Sequence, residues 1–173
     1  MKRSTSGIGS AVFFLVAPGV VAGIIPWWLT RWRAGGFVAS VSGWPAWVFR
    51  TTGLFLLVPA AVVLVHAFAR FVIEGAGTPA PIAPTRRLVV GGFYRYVRNP
   101  MYLAVLAIIL GQAILLGRPV LIGYAAAVSM AVVAFVRWYE EPTLTRTYGV
   151  EYQVYRAAVR GWWPRLRPWQ PGG

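Results

Sequence analysis

Four apolar stretches, at about 8–29, 47–73, 101–116 and 120–138, constrain this chain more than any other feature of its sequence. A helix that crosses a bilayer needs about 20 apolar residues, with a range of roughly 17–25. The first, second and fourth stretches meet that length. The third, counted from Pro100, is slightly short, at roughly 24 Å for sixteen residues. Gly117-Arg118-Pro119 is a tight turn between the third and fourth, so these two read as a helical hairpin. The expected fold is therefore an all-α membrane protein of about four transmembrane helices (8–29, 47–73, 100–116 and 120–138) in a single domain, 1–173.

Composition agrees with a membrane and excludes other classes. The chain is 58% hydrophobic and only 12% charged, with a net charge of +13. Soluble domains are about 45–50% apolar and about 25% charged. A basic chain can serve nucleic acid or an anionic membrane surface. Here the arginines fall between long apolar runs, which favours membrane lipids and argues against a nucleic-acid partner. There is no cysteine and only one histidine, His66, so no disulfide, thiolate chemistry or multi-histidine metal site is expected. His66 lies inside the second span and reads as a packing residue. Lys2 and Arg3 precede an apolar run, as in a secretory signal. That run is too long for a signal core and lacks a clear A-x-A exit, so it reads as a retained first span.

Charge asymmetry gives an orientation. The N-terminus, the connection 74–99 and the C-terminal segment carry most of the cationic residues and all four glutamates. Only Arg31, Arg33, Arg50 and Arg118 fall on the opposite side. The positive-inside rule then places both termini in the cytoplasm of a multi-pass protein of the inner (plasma) membrane. The connection 74–99 is long enough to be functional. Beyond the fourth span, Glu140-Glu141-Pro142 suits the start of a new helix, since proline is favoured at the first helical position and acid near the N-terminus. Leu144, Tyr148, Tyr152, Tyr155 and Val159 recur at helical spacing, which predicts an amphipathic helix over 143–160. Trp162, Trp163 and Trp169 suit interfacial anchors. No internal repeat is present, and nothing in the sequence sets the oligomeric state.

The hairpin brings residues forty positions apart to one membrane level. Arg98-Asn99-Pro100 opens the third span and Glu140-Glu141 follows the fourth. A helix start with arginine beside it favours a carboxylate or phosphate. Paired acids favour an ammonium or ribose hydroxyls, and Tyr94, Tyr96 and Tyr102 can stack on a base or face a cation. S-adenosylmethionine would use every one of these groups, as would other ligands of mixed charge. Asn99-Pro100 is equally an ordinary helix start, with Asn99 as cap.

The stretch Leu88-Val89-Val90-Gly91-Gly92-Phe93-Tyr94-Arg95-Tyr96-Val97-Arg98-Asn99-Pro100-Met101-Tyr102 resembles the signature of membrane methyltransferases, roughly G-x-Y-x-x-x-R-H/N-P-x-Y-x-G. These are the isoprenylcysteine carboxyl methyltransferase and phospholipid methyltransferase families. The run from Glu140 to Pro164 is similar to their C-terminal signature. Asn99 stands where many members have histidine and cannot act as acid or base near neutral pH. Ala104 replaces a common glycine and Phe93 a frequent proline. The resemblance implies methyl transfer from S-adenosylmethionine to a lipophilic acceptor at the cytoplasmic membrane face. That acceptor is a lipid amine, a carboxylate, a thiol or a small hydrophobic amine. It further implies that Tyr94, Arg98, Asn99, Pro100, Tyr102, Glu140 and Glu141 bind the cofactor. Glu140 and Glu141 are the candidate bases, and Arg137 is a candidate for orienting the acceptor. The alternatives are a non-catalytic four-helix membrane scaffold that keeps a cofactor-like pocket, or a small transporter. The latter lacks an inverted repeat and a charged residue in mid-span.

Overall fold

The computed structural model describes residues 17–35, 38, 40, 43–75 and 87–170. The beginning of the first predicted span and much of the connection 74–99 lie outside the described residues. What is described is helical, with no strand among the described residues. Helix α1 covers Ala17–Thr30 and α2 covers Trp44–Gly75. A 3-10 turn follows at Gly92–Arg95, then α3 at Pro100–Leu116. Helix α4 runs unbroken over Pro119–Tyr148, and α5 covers Val150–Ala158.

Two of these helices, α2 over Pro45–Arg70 (26 residues) and α4 (30 residues), are long and apolar enough to cross a membrane. Their outward faces are apolar as well. Phe55, Val58, Val62 and Val65 on α2 and Ile122, Met130 and Val133 on α4 are exposed, Phe55 to 81%. Such faces are unfavourable in water and suit lipid.

The core alternates small residues, which let the helices approach closely, with larger aliphatic ones. Ala22, Leu64, Ala104, Val105, Ile109, Ala113, Leu121 and Ala125 form one buried cluster shared by α1 to α4. The crossing of α2 and α3 depends on Gly53 and Gly111. A Cβ on Gly53 would lie 2.8 Å from Leu115, and one on Gly111 would lie 3.1 Å from the Gly53 carbonyl. Helix α1 is pinned by a different device. Pro26 has no N–H, so one carbonyl a turn before it loses its usual donor, and the π turn over Val20–Ile24 shifts the bonds of its neighbours. Gln112 Nε2 donates to Ala22 O at 2.7 Å, and the Tyr124 hydroxyl donates to Val21 O at 2.9 Å. In a lipid-embedded bundle every such carbonyl must find an internal partner. Here the partners come from α3 and α4, which fixes α1 against both.

Two expectations need correction. No new helix starts at Pro142. Helix α4 continues through it, because a π turn at Val136–Glu140 precedes it and absorbs the change in backbone hydrogen bonding. The amphipathic helix predicted over 143–160 is broken at Gly149, whose φ of 54° and ψ of −124° are open to glycine and closed to most residues. The predicted apolar stripe survives the break. Leu144 and Tyr148 on one side of Gly149 and Tyr152, Tyr155 and Val159 on the other pack in one cluster.

Candidate functional site

The glycine pair in the motif explains how the chain reaches the start of α3. Gly92 has φ +56°, and a Cβ there would sit 2.6 Å from His66 Cε1 on α2. Only glycine permits both the backbone turn and the close approach. The His66 ring then meets Phe93 edge to face at 4.9 Å. His66 is thus a packing residue, and what it packs is the motif. The 3-10 turn that follows buries Tyr94 and leads directly into Arg98 and Asn99.

Asn99 does not act as the helix cap. It precedes Pro100 with φ −114° and ψ 52°, and its side chain makes no capping hydrogen bond. Its residue is only 7% exposed, yet its Nδ2 has no hydrogen-bond partner among the described residues. A buried amide donor left unpaired costs about 1–3 kcal/mol. The group is a donor available at the wall of the site.

Arg98 is held from three directions. Its Nε donates to Val159 O at 2.9 Å, and its Nη1 donates to the Tyr152 hydroxyl oxygen and to Glu141 Oε1, each at 2.9 Å. The other oxygen of Glu141 accepts from Arg156 Nη2 at 3.0 Å. Both Glu141 oxygens are therefore engaged in ion pairs. Glu140 points elsewhere and accepts a 2.8 Å hydrogen bond from the Tyr102 hydroxyl on α3.

The C-terminal tail closes this arrangement through main-chain hydrogen bonds. Arg98 N donates to Arg160 O and Asn99 N to Gly161 O, while Arg165 N and Trp169 N donate to Tyr96 O and Arg95 O. Arg95 Nε returns a bond to Trp169 O at 2.8 Å. The Tyr155 hydroxyl donates to Tyr94 O at 2.7 Å. Burial pushes the Tyr155 phenol well above its ordinary pKa, with the charge of Arg98 opposing the shift.

A cavity of about 330 Å³ opens beside this cluster, between α1, α3 and α4. Its polar end carries Tyr94, Arg98, Asn99, Tyr102 and Glu140, and its shaft is lined by apolar residues such as Val21, Val105, Val128 and Val132. A smaller cavity of about 60 Å³ continues from it toward Glu141, Tyr152 and Tyr155. Of the residues singled out in the sequence, Tyr94, Arg98, Asn99, Pro100, Tyr102 and Glu140 share the larger cavity. Glu141 borders the smaller one. Arg137 lines neither and stands on another face of α4.

The sequence reading missed the tail. Gly161 is buried against the motif, and a Cβ there would lie 3.2 Å from Arg98 Nη2 and 3.4 Å from Asn99 Nδ2. Trp169, expected as an interfacial anchor, instead packs on Tyr155 with ring centroids 5.4 Å apart. The only sequence signal for this role was the tyrosine stripe itself.

A bundle of apolar helices around a largely apolar cavity with polar residues at one end defines the class as a helical, membrane-type protein. The phospholipid methyltransferase family model matches residues 48–151, and the chain belongs to that family. Membership makes it a methyltransferase directed at lipid-type substrates. Comparison with curated proteins and with solved structures finds no match. The family match includes the motif and both glutamates and ends before Tyr152, Gly161 and the rest of the tail.

Proposed function

We propose that the protein transfers a methyl group from S-adenosylmethionine to a lipophilic acceptor at the cytoplasmic face of the inner membrane, as a four-span protein with both termini in the cytoplasm. The observation that carries this reading is the buried, unpartnered Asn99 Nδ2 at the wall of a cavity that also contains Arg98 and the Tyr102–Glu140 pair. These residues fit the cofactor by charge and by hydrogen-bonding chemistry. Asn99 and Arg98 would hold its carboxylate, Glu140 its amine or ribose, and Tyr94 and Tyr102 its base. When bound, the cofactor supplies an electrophilic methyl group on a sulfonium.

For such chemistry the protein needs chiefly to align two reactants and keep water out. Arg98 is already fixed by Glu141, Tyr152 and the Val159 carbonyl, so it needs little reorganisation on binding. Glu141, with both oxygens paired, serves by holding Arg98. The apolar shaft gives an acyl or prenyl-like chain a place between the helices. An amine acceptor would have to release a proton, and Glu140, which lines the cavity, would take it if it faces the acceptor instead of the cofactor. A carboxylate or thiolate acceptor needs no base. Arg137, outside both cavities, is not placed to orient the acceptor there.

The test is calorimetric binding of S-adenosylmethionine to the purified protein, together with transfer of labelled methyl groups into a total lipid extract. Asn99→Ala is expected to weaken binding at least about tenfold, corresponding to one lost hydrogen bond to a charged group. Absence of binding at millimolar cofactor by protein with an intact helical spectrum would reject the proposal. Binding without any methylated product would favour the non-catalytic reading instead.

A further inference from the structure

On another face of α4 lies a second site that the methyl-transfer chemistry leaves unused. Arg137, Trp138, Glu141, Thr145 and Arg146 recur at helical spacing along one side of α4, and Arg156 on α5 completes a concave surface with them. Three arginines therefore border one hollow whose lining includes a single acidic residue. That carboxylate, Glu141, is already shared by Arg98 and Arg156. Arg137 and Arg146 have no ion-pair partner among the described residues.

The position of this hollow points to its occupant. It begins directly after the apolar part of α4, where Phe135 gives way to the π turn. Trp138, which is 79% exposed, marks that boundary, since tryptophan is favoured at the level of lipid head groups. Nine residues separate Arg137 from Arg146, about 14 Å along the helix, so the hollow reaches from the edge of the hydrocarbon outward. Guanidinium forks match phosphate oxygens in pairs. We propose that this surface binds the phosphate of an anionic phospholipid head group, with Arg137 and Arg146 as its principal ligands and Arg156 as a third.

The site is independent of the methyl acceptor, which would lie in the cavity on the Glu140 side. It is nevertheless linked to that cavity, because Arg156 shares Glu141 with Arg98. A phosphate that draws Arg156 away leaves Glu141 to Arg98 alone.

Native mass spectrometry of the full-length protein, released from vesicles of equal phosphatidylglycerol and phosphatidylcholine, counts the lipids retained. The wild type is expected to favour phosphatidylglycerol by about tenfold or more, given two to three arginines near the membrane surface. Arg137→Gln/Arg146→Gln is expected to bring that preference close to one. Arg160→Gln/Arg167→Gln removes the same charge from exposed positions elsewhere and should leave the preference within twofold of wild type. Each variant is first shown to keep the wild-type melting temperature; if the double variant does not, Arg146→Gln alone is used and should lose at least threefold. An unchanged preference in the Arg137 and Arg146 variants overturns the proposal, as does an equal loss in the control pair, which would mean bulk charge alone. Equal competition by soluble glycerol phosphate at lipid-matched concentration would overturn the lipid assignment in favour of a free phosphate.

Discussion

Glu141 is the junction through which the start of α3, the end of α4 and the C-terminal tail are tied, and Glu141→Gln tests that role. The substitution keeps the shape and removes the charge. The Arg98 bond is enclosed, with both side chains only 13% exposed, whereas Arg156 is 46% exposed. The substitution turns a bond between two charged groups into one between Arg98 and a neutral amide, a loss of about 1–2 kcal/mol on a scale where charged hydrogen bonds contribute about 1.5–3 and neutral ones about 0.5–1.5. The exposed Arg156 pair is worth at most about 1 kcal/mol. The total is about 1–3 kcal/mol, a change of roughly 5- to 150-fold in the equilibrium that frees the tail. Because Arg98 also holds Val159, the loss should spread to the main-chain bonds beside it. Hydrogen exchange of the protein in detergent micelles or nanodiscs reads this directly. The amides of Arg98, Asn99, Arg165 and Trp169, all donors between tail and motif, should lose protection together by that factor. Amides in the middle of α3 should be unaffected. If the four amides keep wild-type protection, or if only global stability falls, then Glu141 does not hold the tail and this reasoning is refuted.

Three other outcomes follow from the same geometry. Tyr102→Phe removes the hydroxyl that Glu140 accepts from, and kcat/KM for labelled methyl transfer should fall about 10- to 100-fold, with no large loss of thermal stability. Gly161→Ala places a methyl group 3.2 Å from Arg98 Nη2, so cofactor affinity measured by calorimetry should drop several-fold; full affinity would show that the tail does not shape the site. Burial raises the pKa of the Tyr155 phenol, so the folded state resists its ionisation more than the unfolded state does. The stability it contributes is present below the ordinary phenol range near pH 10 and is lost as the pH rises above it. Thermal melts should show this alkaline loss in wild type and less of it in Tyr155→Phe.

Element by element, hydropathy located the helices well where lipid or core decides the pattern. Helix α3 spans the expected 100–116, bounded by Pro100 and by Gly117 at φ +59°, and α2 extends the expected 47–73 by a few residues at each end. These limits were legible because proline and glycine act locally. The tail was not legible, since its hold on the motif uses main-chain groups of Arg160, Gly161, Arg165 and Trp169, and a main-chain hydrogen bond leaves no side-chain signature. Asn99 could be read two ways, as a cap or as a ligand-binding amide, because residue type does not fix the backbone angles that turned its side chain away from the helix end. Gly149 shows the same limit: the stripe around it predicted a continuous helix, and only its backbone angles reveal the break.

The placement of Glu140 shows most clearly what a periodicity argument cannot contain. Val128, Ala131 and Val132 line the cavity. Continued as a regular α-helix, at about 100° per residue, that face would next present Tyr139 and would put Glu140 about 120° around the axis from Val128. The π turn at Val136–Glu140 accommodates one extra residue and takes back about 100° of that rotation. Glu140 consequently enters the cavity and meets Tyr102, while Tyr139 turns outward, 46% exposed, and stacks on Phe135 at 5.2 Å. The same turn leaves Arg137 and Trp138 on the outer face with Glu141 and Arg146. Two adjacent acids thereby acquire separate tasks, one inside the cavity and one clamped between arginines, although nothing in Glu140-Glu141 as a dipeptide distinguishes them.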